Sequence, residues 1–316
     1  MMEKIAVIGA GTMGHSIALS FALHGYSVHL YDAVEDQLPW ARGMMEQHLK
    51  DLAEGGLVDP SKADETLGRI RFFHDLKGAV EDREYIIEAA PENIGLKREL
   101  FAELDRLAPS HAVLASNTSS LALDDMMRDI SEERKKRTMI NHWFHPAHLI
   151  PLVEMSCFGN MPEPIYMEVE NLYRSIGKQT VKVLKPLPGL IANRIQQGVA
   201  REVFSLLQQG AAAPEDIDKA LQFGPAFRYA TAGQLAVADM GGLDIWCIVG
   251  DNLLKEMDNS TCANPLLREK VAEGKLGIKT GAGFYEYDPS ELEQVRREFN
   301  RRLIHQLKAS MFYMKR

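Results

Sequence analysis

The stretch 141–155 reads NHWFHPAHLIPLVEM, with His142, His145 and His148 three residues apart and Glu154 closing an apolar run. Three imidazoles at that spacing could hold a metal if they shared one face of a helix. Pro146 and the apolar runs at 139–144 and 150–155 predict two strands and a turn instead. A tight hairpin centred on His148 sets His142 opposite Glu154, with Cβ atoms about 4.5–5.5 Å apart. A one-residue slip would separate them. Paired in this way, the imidazole suits general-base work, because its ordinary pKa of about 6.5 lies near neutrality. The carboxylate would fix its tautomer and stabilise the imidazolium as it forms. The plain alternative is a set of turn histidines with a solvated edge glutamate.

A proton acceptor needs a reaction to serve, and the N-terminus supplies one. KIAVIGAGTMGHSIALSFALHGYSVHLYD reads strand, turn, helix, strand. Gly9, Gly11 and Gly14 form Gly-x-Gly-x-x-Gly. Gly9 permits a tight turn, Gly11 leaves room for a pyrophosphate, and Gly14 lets helix and strand pack closely. Thr12 and Met13 complete the loop, and the helix N-terminus attracts the phosphates. Asp32 ends the second strand, where a carboxylate accepts hydrogen bonds from ribose hydroxyls and repels a 2′-phosphate. That favours NAD over NADP. A glycine-rich turn without ligand is the competing reading. His15 follows the motif, but a histidine on a first helical turn is usually solvated, so no role is assigned to it.

These groups need a frame. A helix is expected over 37–57, strands over 69–73, 85–90 and 112–115, and a helix over 96–107. The alternation predicts an α/β fold, a Rossmann doubly wound parallel sheet, followed by an all-helical C-terminal domain. Ligands bind beyond the carboxyl ends of such strands, where Pro91-Glu92-Asn93 and Ser116-Asn117-Thr118-Ser119-Ser120 stand. Helix capping would also account for both strings. KPLPG at 185–189 reads as a stiff linker, giving an NAD-binding domain over 1–185 and a helical domain for substrate and dimerisation over 186–316. Helices are expected over 190–209, 214–223, 234–257, 265–273 and 289–314. The stretch LAVADMGGLDIWCIVGDNLL is more apolar than a solvated helix requires, which suits a dimer core or burial within the monomer. The tail RREFNRRLIHQLKASMFYMKR is basic and amphipathic, read as a solvated face rather than a membrane helix.

Composition bounds the remainder. The 316 residues are 46% hydrophobic and 25% charged, an ordinary globular balance. Against 36 basic residues stand 44 acidic ones, a net charge of −8 that argues against nucleic acid as a partner. Cys157, Cys247 and Cys262 are scattered, as in a reduced cytoplasm. No signal peptide is expected at the N-terminus and no uncharged run spans a bilayer, so neither secretion nor membrane insertion is expected.

With GAGTMG, EAAPENIGLKRELFAELD, ASNTSS, NHWFHP…LVE, PGLIANRI, VADMGGLD and KTGAGFYEYDP in view, the chain resembles the L-3-hydroxyacyl-CoA dehydrogenase superfamily over essentially its full length. The resemblance implies that His142 and Glu154 form the catalytic dyad, with Ser119 and Asn193 near the substrate hydroxyl. It implies that Glu92 and Lys97 touch the nicotinamide half of NAD, with Asn117 beside them, and that the helical domain makes a homodimer. Acyl-CoA members usually read HFFNP with Lys before LVE, whereas this chain has His145 and Pro151. It also has Phe227-Arg228-Tyr229-Ala230 where those members carry Pro-Met-Gly-Pro. Both departures resemble the carnitine dehydrogenase and λ-crystallin/L-gulonate 3-dehydrogenase branch, which oxidises small free 3-hydroxy acids. A free carboxylate needs a fixed cation, and Arg228 offers a bidentate fork, with His145 expected to shape the pocket. The expected activity is NAD-dependent oxidation of a small L-3-hydroxy acid to its 3-oxo acid. A 3-hydroxyacyl-CoA substrate is the alternative.

Overall fold

The computed structural model describes residues 2–314, which fall into two compact units. Among the described residues the first comprises 2–191 with 300–308, and the second 192–299 with 309–314.

The first unit alternates strand and helix. In order come β1 (Lys4–Ile8), α1 (Gly14–Leu23), β2 (Ser27–Tyr31), α2 (Gln37–Glu54), α3 (Ala63–Gly68), β3 (Ile70–Phe73), α4 (Leu76–Val80) and β4 (Tyr85–Glu88). They are followed by α5 (Ile94–Leu107), β5 (Val113–Ser116), α6 (Leu123–Met126), α7 (Glu132–Lys135), β6 (Thr138–Trp143), β7 (Leu152–Ser156), α8 (Glu163–Ser175) and β8 (Gln179–Lys182). The eight strands form one sheet in the order β3-β2-β1-β4-β5-β6-β7-β8. All neighbours run parallel except β6 and β7. The order reverses between β1 and β4, which makes their carboxyl ends the ligand-binding crevice of an open α/β sheet.

The local residue choice explains this sheet. In β1, Ile5 and Val7 pack into the core on one face, and Ala6 and Ile8 into the core on the other. A strand apolar on both faces is stable only between two layers of helices. β6 differs, because Asn141 is fully buried and donates through Nδ2 to the Tyr85 hydroxyl at 2.7 Å. The Tyr85 hydroxyl meets that of Tyr173 at 2.6 Å, which also accepts from Trp143 Nε1 at 3.1 Å. This polar network lies in one core layer and pins β6, because a shifted strand would leave those buried groups without partners.

The second unit is helical: α9 (Ala192–Gln208), α10 (Pro214–Phe223), α11 (Pro225–Tyr229), α12 (Gln234–Gly241), α13 (Leu243–Leu253), α14 (Pro265–Ala272) and α15 (Leu292–Met314), the middle of which belongs with the first unit. Two isolated bridges, Gly277 to Ala282 and Ala282 to Glu286, give the stretch before α15 a little strand character. The single helix expected over 234–257 is two, because Gly242 adopts φ +89° and breaks the hydrogen-bond ladder. α8 and β8 were not anticipated. Among the described residues no helix is long and apolar enough to cross a membrane.

Candidate active site

The glycine loop between β1 and α1 fits a dinucleotide. Gly9 has φ +103°, and a Cβ there would meet Ala89 O at 2.8 Å. A Cβ on Gly14 would lie 1.7 Å from Gly9 O, so helix and loop could not approach as they do. Gly11 is different: nothing lies within 4 Å of the position its Cβ would take. The protein itself does not require glycine there, and the open space is what a pyrophosphate needs. Asp32 closes the loop at the end of β2. Its Oδ2 accepts from Ala10 N at 2.7 Å and its Oδ1 from Val34 N at 2.9 Å. Thr12 is exposed and Met13 half-buried on the same loop. His15, expected at the surface, is only 3% exposed.

β6 and β7 form the antiparallel pair, with His142 in register with Glu154. His142 Nδ1 lies 3.0 Å from Glu154 Oε2, and both side chains are buried. A carboxylate only accepts, so Nδ1 carries the hydrogen and Nε2 keeps its lone pair as an acceptor. The other carboxylate oxygen, Oε1, accepts from Ile191 N at 2.8 Å. That amide follows Gly189 and Leu190, which have φ of +78° and +51°. A left-handed leucine is strained, and here it turns the chain so that its next N–H reaches the glutamate.

Supporting groups hold this hairpin. Asn117 Oδ1 accepts from Trp143 N at 2.8 Å, tying the end of β5 to the residue after His142. Lys178 Nζ donates to Ala147 O at 2.6 Å and Ile150 O at 2.8 Å, and lies 4.5 Å from the Trp143 ring centre. Burial pushes that ammonium down to about 7. His145 stands exposed in the turn before Pro146, joined to it by a cis peptide bond. His148 is buried beneath the turn.

Beyond β4 and β5 lies a charged cluster. Lys97 Nζ is 2.9 Å from Glu88 Oε1 and 3.0 Å from Glu92 Oε2. Lys97 and Glu88 are 1% and 0% exposed, and burial pushes the Glu88 carboxyl up against the pull of Lys97. Glu92 Oε1 accepts from the Thr118 hydroxyl at 2.6 Å, Ser119 N at 3.2 Å, Ser120 N at 3.2 Å and the Ser120 hydroxyl at 2.9 Å. Burial opposes ionisation, but the Thr118 hydrogen bond and Lys97 hold Glu92 down at about 2. As the structure stands, Glu92 and Lys97 engage each other and the loop that carries Ser119. Beside that loop is a recess of about 80 Å³, lined by Ser119, Leu121, Ile140, Phe158 and Leu190 among others. A larger groove of about 750 Å³ between α2, α3 and β3 contains none of the candidate residues.

The first unit therefore gathers the glycine loop, Asp32, Glu92, Lys97, Asn117, Ser119, His142, His145 and Glu154. Asn193, half-buried on the first turn of α9, and Arg228, exposed on α11, belong to the second. Sequence reading missed Glu88 and Lys178. Glu88 lies four residues before Glu92 in the EAAPE string, a signal that was available. Nothing near Lys178 in sequence marks its contacts.

Comparison with known proteins agrees with this geometry. Residues 4–186 match the model of the 3-hydroxyacyl-CoA dehydrogenase NAD-binding domain, and residues 189–287 match that of the C-terminal domain. The chain is 32% identical over 304 residues to 5-formyl-3-hydroxy-2-methylpyridine 4-carboxylate 5-dehydrogenase of Mesorhizobium japonicum, covering 96% of this chain and 97% of that one. It is 33% identical over 288 residues to the probable 3-hydroxybutyryl-CoA dehydrogenase of Bacillus subtilis, covering 91% and 98%. A crystal structure of 5-formyl-3-hydroxy-2-methylpyridine 4-carboxylic acid 5-dehydrogenase, described as an NAD+-dependent dismutase, superposes with a TM-score of 0.90 at 32% identity, covering 98% of this chain and 99% of that one. The glycine cradle, the histidine–glutamate hairpin and these matches agree: the chain belongs to the 3-hydroxyacyl-CoA dehydrogenase family and is an NAD-dependent dehydrogenase of that type.

Proposed function

We propose that the protein oxidises the 3-hydroxyl of a small free L-3-hydroxy acid, carnitine- or gulonate-like, reversibly giving the 3-oxo acid. The observation that carries this reading is the His142–Glu154 pair, 3.0 Å apart on a buried hairpin. His142 Nε2 takes the hydroxyl proton. Glu154, held by the Ile191 amide, keeps the ring oriented and offsets its positive charge. Gly9, Gly11, Thr12, Met13, Gly14 and Asp32 hold NAD, with Glu92, Lys97 and Asn117 towards its nicotinamide end. When bound, NAD accepts the hydride from the carbinol carbon. Ser119 and Asn193 hold the substrate oxygen, His145 shapes the pocket, and Arg228 pairs with the free carboxylate.

Pro151 stands where acyl-CoA members usually carry lysine, and the Mesorhizobium relative is named for a small carboxylate. Both favour a free acid. The alternative, a 3-hydroxyacyl-CoA substrate, draws on the family models and the Bacillus relative. Steady-state turnover decides between them. The expected result is higher kcat/KM on carnitine, L-gulonate or 3-hydroxybutyrate than on 3-hydroxybutyryl-CoA, and preference for the thioester rejects the proposal.

The same proposal includes a homodimer formed through the helical domain over 186–316, which serves substrate binding and dimerisation. Leu243, Ile245, Trp246, Ile248, Val249 and Leu253 of α13 are all exposed, and no residue of that helix is buried. A surface that apolar is stable in water when a second copy covers it. A cytoplasmic location also belongs to this reading, supported by three cysteines that are free.

A further inference from the structure

Three histidines outside the proposed chemistry meet in the first unit: His15 from α1, His48 from α2 and His148 from the β6–β7 turn. His15 Nδ1 lies 2.7 Å from Gly11 O, and His15 Nε2 lies 3.0 Å from His48 Nε2. The His48 ring stacks on His148 at 3.9 Å with 28° between planes. All three are buried.

The partners settle the hydrogens. Gly11 O only accepts, so His15 Nδ1 donates. A neutral His15 then has an acceptor at Nε2, and His48 Nε2 donates to it, with the Ser16 hydroxyl 3.2 Å away. That leaves His48 Nδ1 as a bare lone pair, and both it and His148 Nδ1 are buried without a hydrogen-bond partner. The ionisable groups around the column are His15 on α1, His48 on α2, His145 and His148 in the turn, and Lys178 before β8. All would be cationic if charged. Burial first, then His15 and His145, bring His48 down to about 4, and burial lowers His15 and His148 as well. The column is therefore neutral near pH 7, and its hydrogen bonds run one way, from His48 through His15 to Gly11.

We infer that His48, acting through His15, is a positioning residue for the NAD pyrophosphate loop. In a trans peptide the C=O and the following N–H point in opposite directions. Holding the Gly11 carbonyl towards His15 therefore aims the Thr12 N–H the other way, preset for an anion before NAD arrives. The loop also accepts a longer backbone bond, His15 N to Gly11 O at 3.4 Å, which the imidazole bond reinforces.

Calorimetric titration of the full-length protein with NAD tests this. His48→Phe keeps a ring against His148 but removes the donor, and NAD should bind about tenfold more weakly. His48→Gln returns an amide donor and should recover affinity to within about twofold of the parent. The double variant His15→Ala/His48→Phe should bind NAD as weakly as His15→Ala alone, because the two residues act in series. Losses that multiply in the double variant, or a glutamine variant as weak as the phenylalanine one, overturn the inference. Nitrogen-15 NMR of the imidazoles gives a readout independent of binding. His48 should stay in its neutral Nε2–H form down to about pH 5, and titration near its ordinary value of about 6.5 would refute the brace.

Discussion

In β1 of the first unit Ile5, Ala6, Val7 and Ile8 are all buried, whereas in α13 of the second unit no residue is. Among the described apolar residues of the second unit only Ile217 and Val237 are buried, while Trp246 is 38% and Ile248 58% exposed. Burying one large aliphatic side chain contributes about 1.5–3 kcal/mol. The first unit thus has ample apolar burial of its own. The second leaves most of that stabilisation unrealised within one chain. One unit is a self-sufficient frame for cofactor and dyad; the other exposes the apolar face through which we propose that two copies meet.

That contrast can be attacked at both ends, and the largest effect is expected at the dyad. His142→Gln removes the proposed proton acceptor, and kcat for hydroxy acid oxidation should fall about a thousandfold, while the NAD Kd changes by less than about twofold. If kcat survives, the chemistry does not belong to the first unit's hairpin. In the second unit, Ile248→Asp places a charge in the proposed dimer surface. Sedimentation should show dissociation strengthened toward monomer by about a hundredfold or more in Kd, with NAD binding by the first unit retained. An unchanged sedimentation coefficient would leave α13 exposed for some other reason.

Gly11→Ala separates the cofactor cradle from the frame that supports it. Its Cβ meets no protein atom, so the melting temperature should stay within about 2 °C, while NAD affinity drops about tenfold or more. A large loss of melting temperature would mean the glycine serves the fold instead. The smallest effect is a pH dependence. Lys178 titrates near 7 when folded and about 10.4 when unfolded. Between those values the unfolded chain binds more protons, so stability gains as pH rises from about 7 to 10. In urea unfolding, Lys178→Met should flatten that rise, a change on the order of 1 kcal/mol for each pH unit. An identical slope in the variant would remove Lys178 from the account.

Much of the site could be read in advance because it depends on short-range rules. The glycine spacing and terminal Asp32 report one βα turn, and the His142–Glu154 register follows from a hairpin whose side chains alternate with period two. The Gly241-Gly242 pair inside the expected helix was a legible break that apolar periodicity masked. Other features lie across the fold. Lys178 caps carbonyls of Ala147 and Ile150 some thirty positions earlier, and Lys97 bridges Glu88 and Glu92 only once β4 and α5 pack together. Residues 300–308 join the first unit although they lie inside the sequence span of the second.

By itself, then, the sequence determined the repeating β–α order, the dinucleotide turn and the pairing of one imidazole with one carboxylate. Each of these is set by hydrophobic period, backbone freedom or strand alternation within some twenty residues. The tertiary structure decided which polar groups are taken out of water together: the column from His48 to Gly11, the Glu88–Lys97–Glu92 cluster and the Ile191 amide on Glu154. Burial makes a hydrogen bond obligatory, and only the packed chain settles what is buried beside what.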